Sequence, residues 1–188
     1  AFMLAYGLSV TAQTLVGQCI GAGHKEEAKL VTRRILRVGY VLMLALALVY
    51  VLVPEWLMSL FVRQSELAVL LPFARPLFTI VAVVLFFDLT FMVVAGGLRG
   101  AGDTTYAMLA NVGTAWLLFV PATLLVAPRY GLVAAWSCLI PYLAVMALLI
   151  EIRFRGTAWL KPALERAGSA DPELRESPSP AEPAGLES

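Results

Sequence analysis

Reactive side chains are scarce in this chain. Its 188 residues include one histidine and two cysteines, and only 14% are charged. His24 stands alone in a charged loop, GAGHKEEA, where a solvated role suits it better than a relay or a metal site. Cys19 and Cys138 lie in separate apolar segments without CxxC or Cys/His spacing, so neither a disulfide framework nor a zinc site is indicated. GxSxG and HExxH are missing, and no second acid lies deep within an apolar segment; an enzyme is not expected. GLRGAGDT lacks the GK[ST] ending of a phosphate-binding loop, so no nucleotide cofactor follows. There is no basic stripe with interleaved aromatics, which argues against a nucleic-acid partner.

Hydrophobic residues make up the balance, at 60% of the chain. Soluble domains hold about 45–50% apolar residues, and this excess is too large for one soluble core. The chain therefore reads as an integral membrane protein whose constant partner is lipid. A bilayer span takes about 20 mostly apolar residues, and five segments qualify: 1–20, 35–53, 76–98, 106–127 and 132–152. Only helices and closed barrels satisfy backbone polar groups in lipid. Strict apolar alternation is absent, so the expected fold is all-α, a polytopic bundle of five transmembrane helices spanning 1–155. The stretch 55–70 reads as an interfacial helix or turn, with Trp56 at headgroup level.

Charge sets the expected topology. Eleven of the fourteen basic residues fall on one side: Lys25, Lys29, Arg33, Arg34, Arg37, Arg99, Arg153, Arg155, Lys161, Arg166 and Arg175. Arg63, Arg75 and Arg129 face the other way. The positive-inside rule puts the first group and the C-terminus in the cytoplasm, in a cell membrane. The first segment then runs inward. The opening Ala1-Phe2-Met3 suggests a start inside a larger protein, with an odd number of spans upstream. Residues 156–188 are read as a cytoplasmic tail, largely disordered, since from Gly168 onward the chain is rich in Ser, Pro, Glu and Ala.

Polar groups inside the apolar segments carry the functional signal. Asp88 lies near the middle of the third. A carboxylate in hydrocarbon is costly and marks an ion, proton or substrate path by default. It can exchange a proton or give one hard oxygen ligand to Na⁺, and both remain open. Thr90 is its near neighbour. Gln13 belongs to a polar set on the first segment, and Asn111 lies on the fourth; all three are candidate cavity-lining residues. Gly97, Arg99, Gly100, Gly102 and Asp103 are expected to build a tight structural turn, with Asp103 as N-cap of the next helix. Pro121 is expected to kink the fourth span.

These motifs resemble those of multidrug and toxic-compound extrusion (MATE) transporters. LVGQCIGAGHKEEAKLVTRR (15–34) is similar to the "GQ-x-x-GAG…A…RR" end of a lobe's second helix. FFDLTFMVVAGGLRGAGDTTYAML (86–109) resembles the "D…GxLRGxGDT…M" helix and exit turn, and 116–136 looks like the following "P…L…GLxGxW" passage, with Val133 and Ala134 in place of part of the glycine pattern. The resemblance implies a C-terminal lobe fragment, helices 8–12 of a twelve-helix fold, with an N-terminal lobe as the missing partner. It implies a Na⁺- or H⁺-coupled antiporter exporting small, cationic, amphipathic compounds by alternating access, with no cofactor beyond the coupling ion. Asp88 looks like the acid on helix 10 that takes part in coupling, with Na⁺ as one candidate occupant. Two other readings stay open: a flippase for lipid-linked oligosaccharides or polysaccharides, and a non-transporting membrane scaffold.

Overall fold

The computed structural model describes residues 2–60, 64–157 and 159, and among these there is no strand. The expected tail from 160 onward, and Arg63, lie outside the described residues. Seven helices follow one another: α1 (Phe2–Gly21), α2 (Lys25–Leu52), α3 (Pro54–Ser59), α4 (Gln64–Gly100), α5 (Thr104–Thr114), α6 (Val120–Ser137) and α7 (Leu139–Arg155). A single π-helical stretch, Ala115–Phe119, joins α5 to α6.

The two sharp corners use the same chemistry. Gly23 has φ 80°, and the amides of Gly23 and His24 bond back to the carbonyls of Ile20 and Cys19. Gly102 has φ 85°, and the amides of Gly102 and Asp103 bond back to Arg99 and Leu98. Each is a Schellman cap, which needs a left-handed residue where glycine carries no Cβ penalty. The sequence writes it twice as Gly-Ala-Gly, at 21–23 and at 100–102.

The helix α4 is the axis of the bundle, packed by α1, α2 and α7. Its C-terminal half is buried on nearly every side, through Leu89, Phe91, Val93, Val94, Ala95 and Leu98. A helix apolar all round belongs in an interior. Against it α1 presents Ala5, Ser9, Ala12 and Val16, spaced four, three and four apart as one helical face. Small residues let the backbones meet: a Cβ on Gly96 would collide with the Ser9 carbonyl, and one on Gly100 with the Gln13 carbonyl. Close approach over small residues is how helices associate in lipid, where burial alone gives no drive.

Helix ends differ from the sequence expectation in three places. The segment expected to begin at Pro76 is helical from Gln64, with Pro72 and Pro76 inside it; neighbouring helices make such interior prolines tolerable in membrane helices. The stretch 55–70 therefore divides between α3, started by Pro54 at its first turn, and the start of α4. The helical run that begins at Thr104 continues past 127 to Ser137, but turns at Gly131, whose φ is 78°. Among the described residues, three helices are long and apolar enough to cross a membrane: Glu26–Leu52, Pro72–Gly100 and Thr104–Ser137. The polar helix α1 has 20 residues and α7 has 17. The molecule is an all-α membrane bundle.

Candidate functional site

The helix α4 holds Asp88 half-buried, three turns before the glycine-packed end. Among the described residues its carboxylate has no hydrogen-bond partner and no counter-ion. Tyr142 of α7 lies within electrostatic range of it, with no hydrogen bond between the two. The Tyr142 hydroxyl donates to Oδ1 of Asn111 on α5 at 3.2 Å, and its ring packs on Phe119 with centroids 5.2 Å apart. A phenol of α7 and an amide of α5 thus pair directly, with the carboxylate of α4 within electrostatic range of the phenol. All are hard oxygen donors, which suits a proton or an alkali cation better than a soft metal. No group of three His, Cys, Asp or Glu side chains gathers among the described residues.

The same face of α4 continues into an apolar cavity. Val81 precedes Asp88 by seven residues, two helical turns, and so lies on the same side. Val81, Phe78, Leu77 and Phe73 line an open cavity of about 480 Å³, bordered on α6 by Leu132 and Trp136. Asp88 is not part of the lining; it lies about 10 Å along α4 from Val81, the nearest lining residue.

Other expected residues are placed elsewhere. Thr90 is two residues from Asp88, hence on the far side of α4. It accepts from the Tyr40 hydroxyl of α2 at 2.7 Å while donating to the Phe86 carbonyl. Gln13 has an exposed side chain, and its carbonyl packs on Gly100, about 18 Å along α4 from Asp88. Asn111 is bonded to Tyr142, a residue that sequence reasoning passed over.

The expected structural turn is corrected. Gly97, Arg99 and Gly100 are helical, and only 101–103 turn. The reason is packing: Gly96 and Gly100 make room for the α1 backbone, and Gly97 for Thr32 of α2. Asp103 stands at the N-cap position of α5 but makes no capping bond. Its buried carboxylate instead takes a 2.9 Å bond from Nε of Arg153 on α7, whose guanidinium lies 4.8 Å from the centre of the Tyr106 ring. Arg99 donates to the Ser9 hydroxyl at 2.8 Å, and Ser9 donates to the Met92 carbonyl at 2.7 Å. The motif fastens α1, α4, α5 and α7 together. The distortion expected at Pro121 takes the form of the π-helical stretch just before it. A proline ring clashes with the carbonyl four residues back, and a widened turn absorbs that clash. Cys19 and Cys138 are free thiols, and His24 is an exposed neighbour of Glu27.

Comparison with known proteins decides the family. The MatE family matches residues 1–125. The chain belongs to it. Among its curated relatives is a probable multidrug resistance protein NorM of Pseudomonas aeruginosa, 32% identical over 170 residues, covering 86% of this chain and 34% of that protein. A probable NorM of Pasteurella multocida is 29% identical over 160 residues, covering 82% and 34%. An uncharacterized transporter of Schizosaccharomyces pombe is 28% identical over 138 residues, covering 72% and 25%. The MatE chain spans about a third of the length of the curated relatives it matches. Asp88 and Asn111 fall within the family match, and Tyr142 lies beyond its end.

Proposed function

We propose that this MatE chain is part of a multidrug exporter in the cell membrane, a Na⁺- or H⁺-coupled antiporter that expels cationic amphipathic compounds by alternating access. The observation that carries the reading is Asp88, a half-buried carboxylate without a counter-ion among the described residues, two turns along one helix face from an apolar cavity of about 480 Å³. An amphipathic cation needs both: apolar surface to bury and a negative charge to offset desolvation. One carboxylate cannot neutralise a coupling cation and a cationic substrate at the same time. Competition for Asp88 therefore couples their movements, since a ligand shifts a conformational equilibrium only by its differential affinity for the two states.

In this reading the chain supplies one lobe, an additional lobe completes the cavity, and the C-terminus is cytoplasmic. The π-helical stretch with Pro121, and Gly131 beyond it, supply the places where α5 and α6 bend. The bond between Tyr142 and Asn111 ties α7 to α5 within electrostatic range of Asp88.

The test is reconstitution of the complete transporter in proteoliposomes, following efflux of a cationic dye under an imposed Na⁺ or proton gradient. Wild-type efflux driven by one gradient, and lost in Asp88→Asn, is the expected result, and the effective gradient names the ion. Efflux that survives in Asp88→Asn would remove Asp88 from coupling. No wild-type efflux under either gradient would overturn drug export and leave lipid-linked sugars as the next substrate to test.

A further inference from the structure

A second cavity lies on the opposite side of α4 from Asp88. It has a volume of about 310 Å³ and is lined by Arg33, Arg37 and Tyr40 of α2, Thr90 of α4, and Glu151 and Arg155 of α7. Three guanidinium groups from two helices meet one carboxylate. Glu151 is engaged with Arg155 at 2.8 Å. Arg33 and Arg37 have no acidic partner among the described residues. The lining carries a surplus of two positive charges, in a space sized for one small polar group. Such a surplus invites an anion, and guanidinium forks match phosphate oxygens in particular.

Depth and surroundings identify the anion's carrier. Arg33 and Arg37 occupy the third and fourth turns of α2, and Arg155 ends α7, so the cavity sits where the charged ends of the bundle give way to its apolar body. Tyr40 and Thr90, bonded to each other, form its inner wall. Beyond Arg37, at helical spacing along the same helix, Val41, Leu44 and Leu48 are 68%, 52% and 49% exposed. A polar group held by the arginines would have apolar surface directly beside it, running toward the membrane centre. We infer that this cavity binds the phosphate headgroup of an anionic phospholipid, with its acyl chains laid along the exposed apolar ridge of α2. The inference stands apart from the transport reading, because it uses neither Asp88 nor the apolar cavity. Basic cavities between membrane helices are sites of this chemical class.

Native mass spectrometry of the purified protein in detergent tests it, with phosphatidylglycerol, phosphatidylcholine and inorganic phosphate as separate probes. Phosphatidylglycerol should be retained, and phosphatidylcholine should not. The double variant Arg33→Gln/Arg37→Gln should lose about thirtyfold in phosphatidylglycerol affinity, and Arg33→Gln alone about fivefold. Arg34→Gln, an exposed arginine outside the cavity, should lose less than twofold. Unchanged circular dichroism certifies that each variant is folded. Equal loss in Arg34→Gln would reduce the effect to diffuse surface charge and overturn the site. Full retention in the double variant would overturn it as well. Binding of inorganic phosphate at the affinity of phosphatidylglycerol would assign the cavity to a free anion instead of a lipid.

Discussion

At the scale of single residues, two aspartates in the same helical neighbourhood have opposite fates. Asp103 is buried and paired with Arg153, with its side chain 8% exposed. Removing one partner of a buried pair leaves the other charge uncompensated. Asp103→Ala should therefore cost about 3 kcal/mol of stability, read as a fall in the thermal midpoint in detergent. Asp88 has no such partner, and Asp88→Asn should leave that midpoint unchanged or raise it. Tyr142→Phe removes one hydroxyl and keeps the ring on Phe119. A single hydrogen bond is worth about 1 kcal/mol, so the ion concentration giving half-maximal efflux should shift roughly fivefold with little change in stability. A Tyr142→Phe protein with wild-type ion dependence would detach α7 from the coupling site.

At the scale of helices, the contact of α1 with α4 depends on side chains that are not there. Gly96→Ala and Gly100→Ala each push a methyl group into a backbone carbonyl of α1. Each should destabilise by about 1–3 kcal/mol, whereas Gly113→Ala, with open space at its Cβ, should be neutral or slightly stabilising. Parallel unfolding curves check this, and equal effects at all three positions would refute the close-packing account. The same glycines show how far the sequence could be read. Their presence and the motif around Arg99 were legible, because glycine and arginine contrast with an apolar run. Their use was not, because a glycine looks alike in a turn and in a helix crossing until the opposite helix is known. Asp88 was legible for the same reason of contrast. Tyr142 was not, because an aromatic residue in an apolar helix reads as packing, and its partner Asn111 is 31 residues away. The all-α apolar bundle was legible from length and composition, though of the five expected spans three helices among the described residues are long and apolar enough to cross a membrane; the run of helix through Pro72 and Pro76 was not legible, since it rests on neighbours that tolerate them.

At the scale of the whole molecule, packing is uneven. The C-terminal half of α4 is enclosed, while α5, the π-helical stretch and α6 leave Met108, Leu109, Trp116, Leu117, Leu124 and Leu125 more than half exposed. The polar residues Thr11, Gln13, Thr14 and Gln18 of α1 also point outward. The chain spans about a third of its relatives' length, and in the one-lobe reading proposed above this open polar face meets a further lobe that transport requires. Expressed alone it should insert in membranes and give no gradient-driven dye efflux, and efflux from the chain alone would contradict the one-lobe reading.

Because the backbones of α1 and α4 touch at Gly96 and Gly100, neither helix has slack to slide past the other. The two must travel as one beam. In the alternating-access reading proposed above, rocking is absorbed elsewhere, at the widened turn before Pro121 and at Gly131. Spin labels on α1 and α4 should hold a constant separation as the ion is added and withdrawn, while a label on α6 should report two distances.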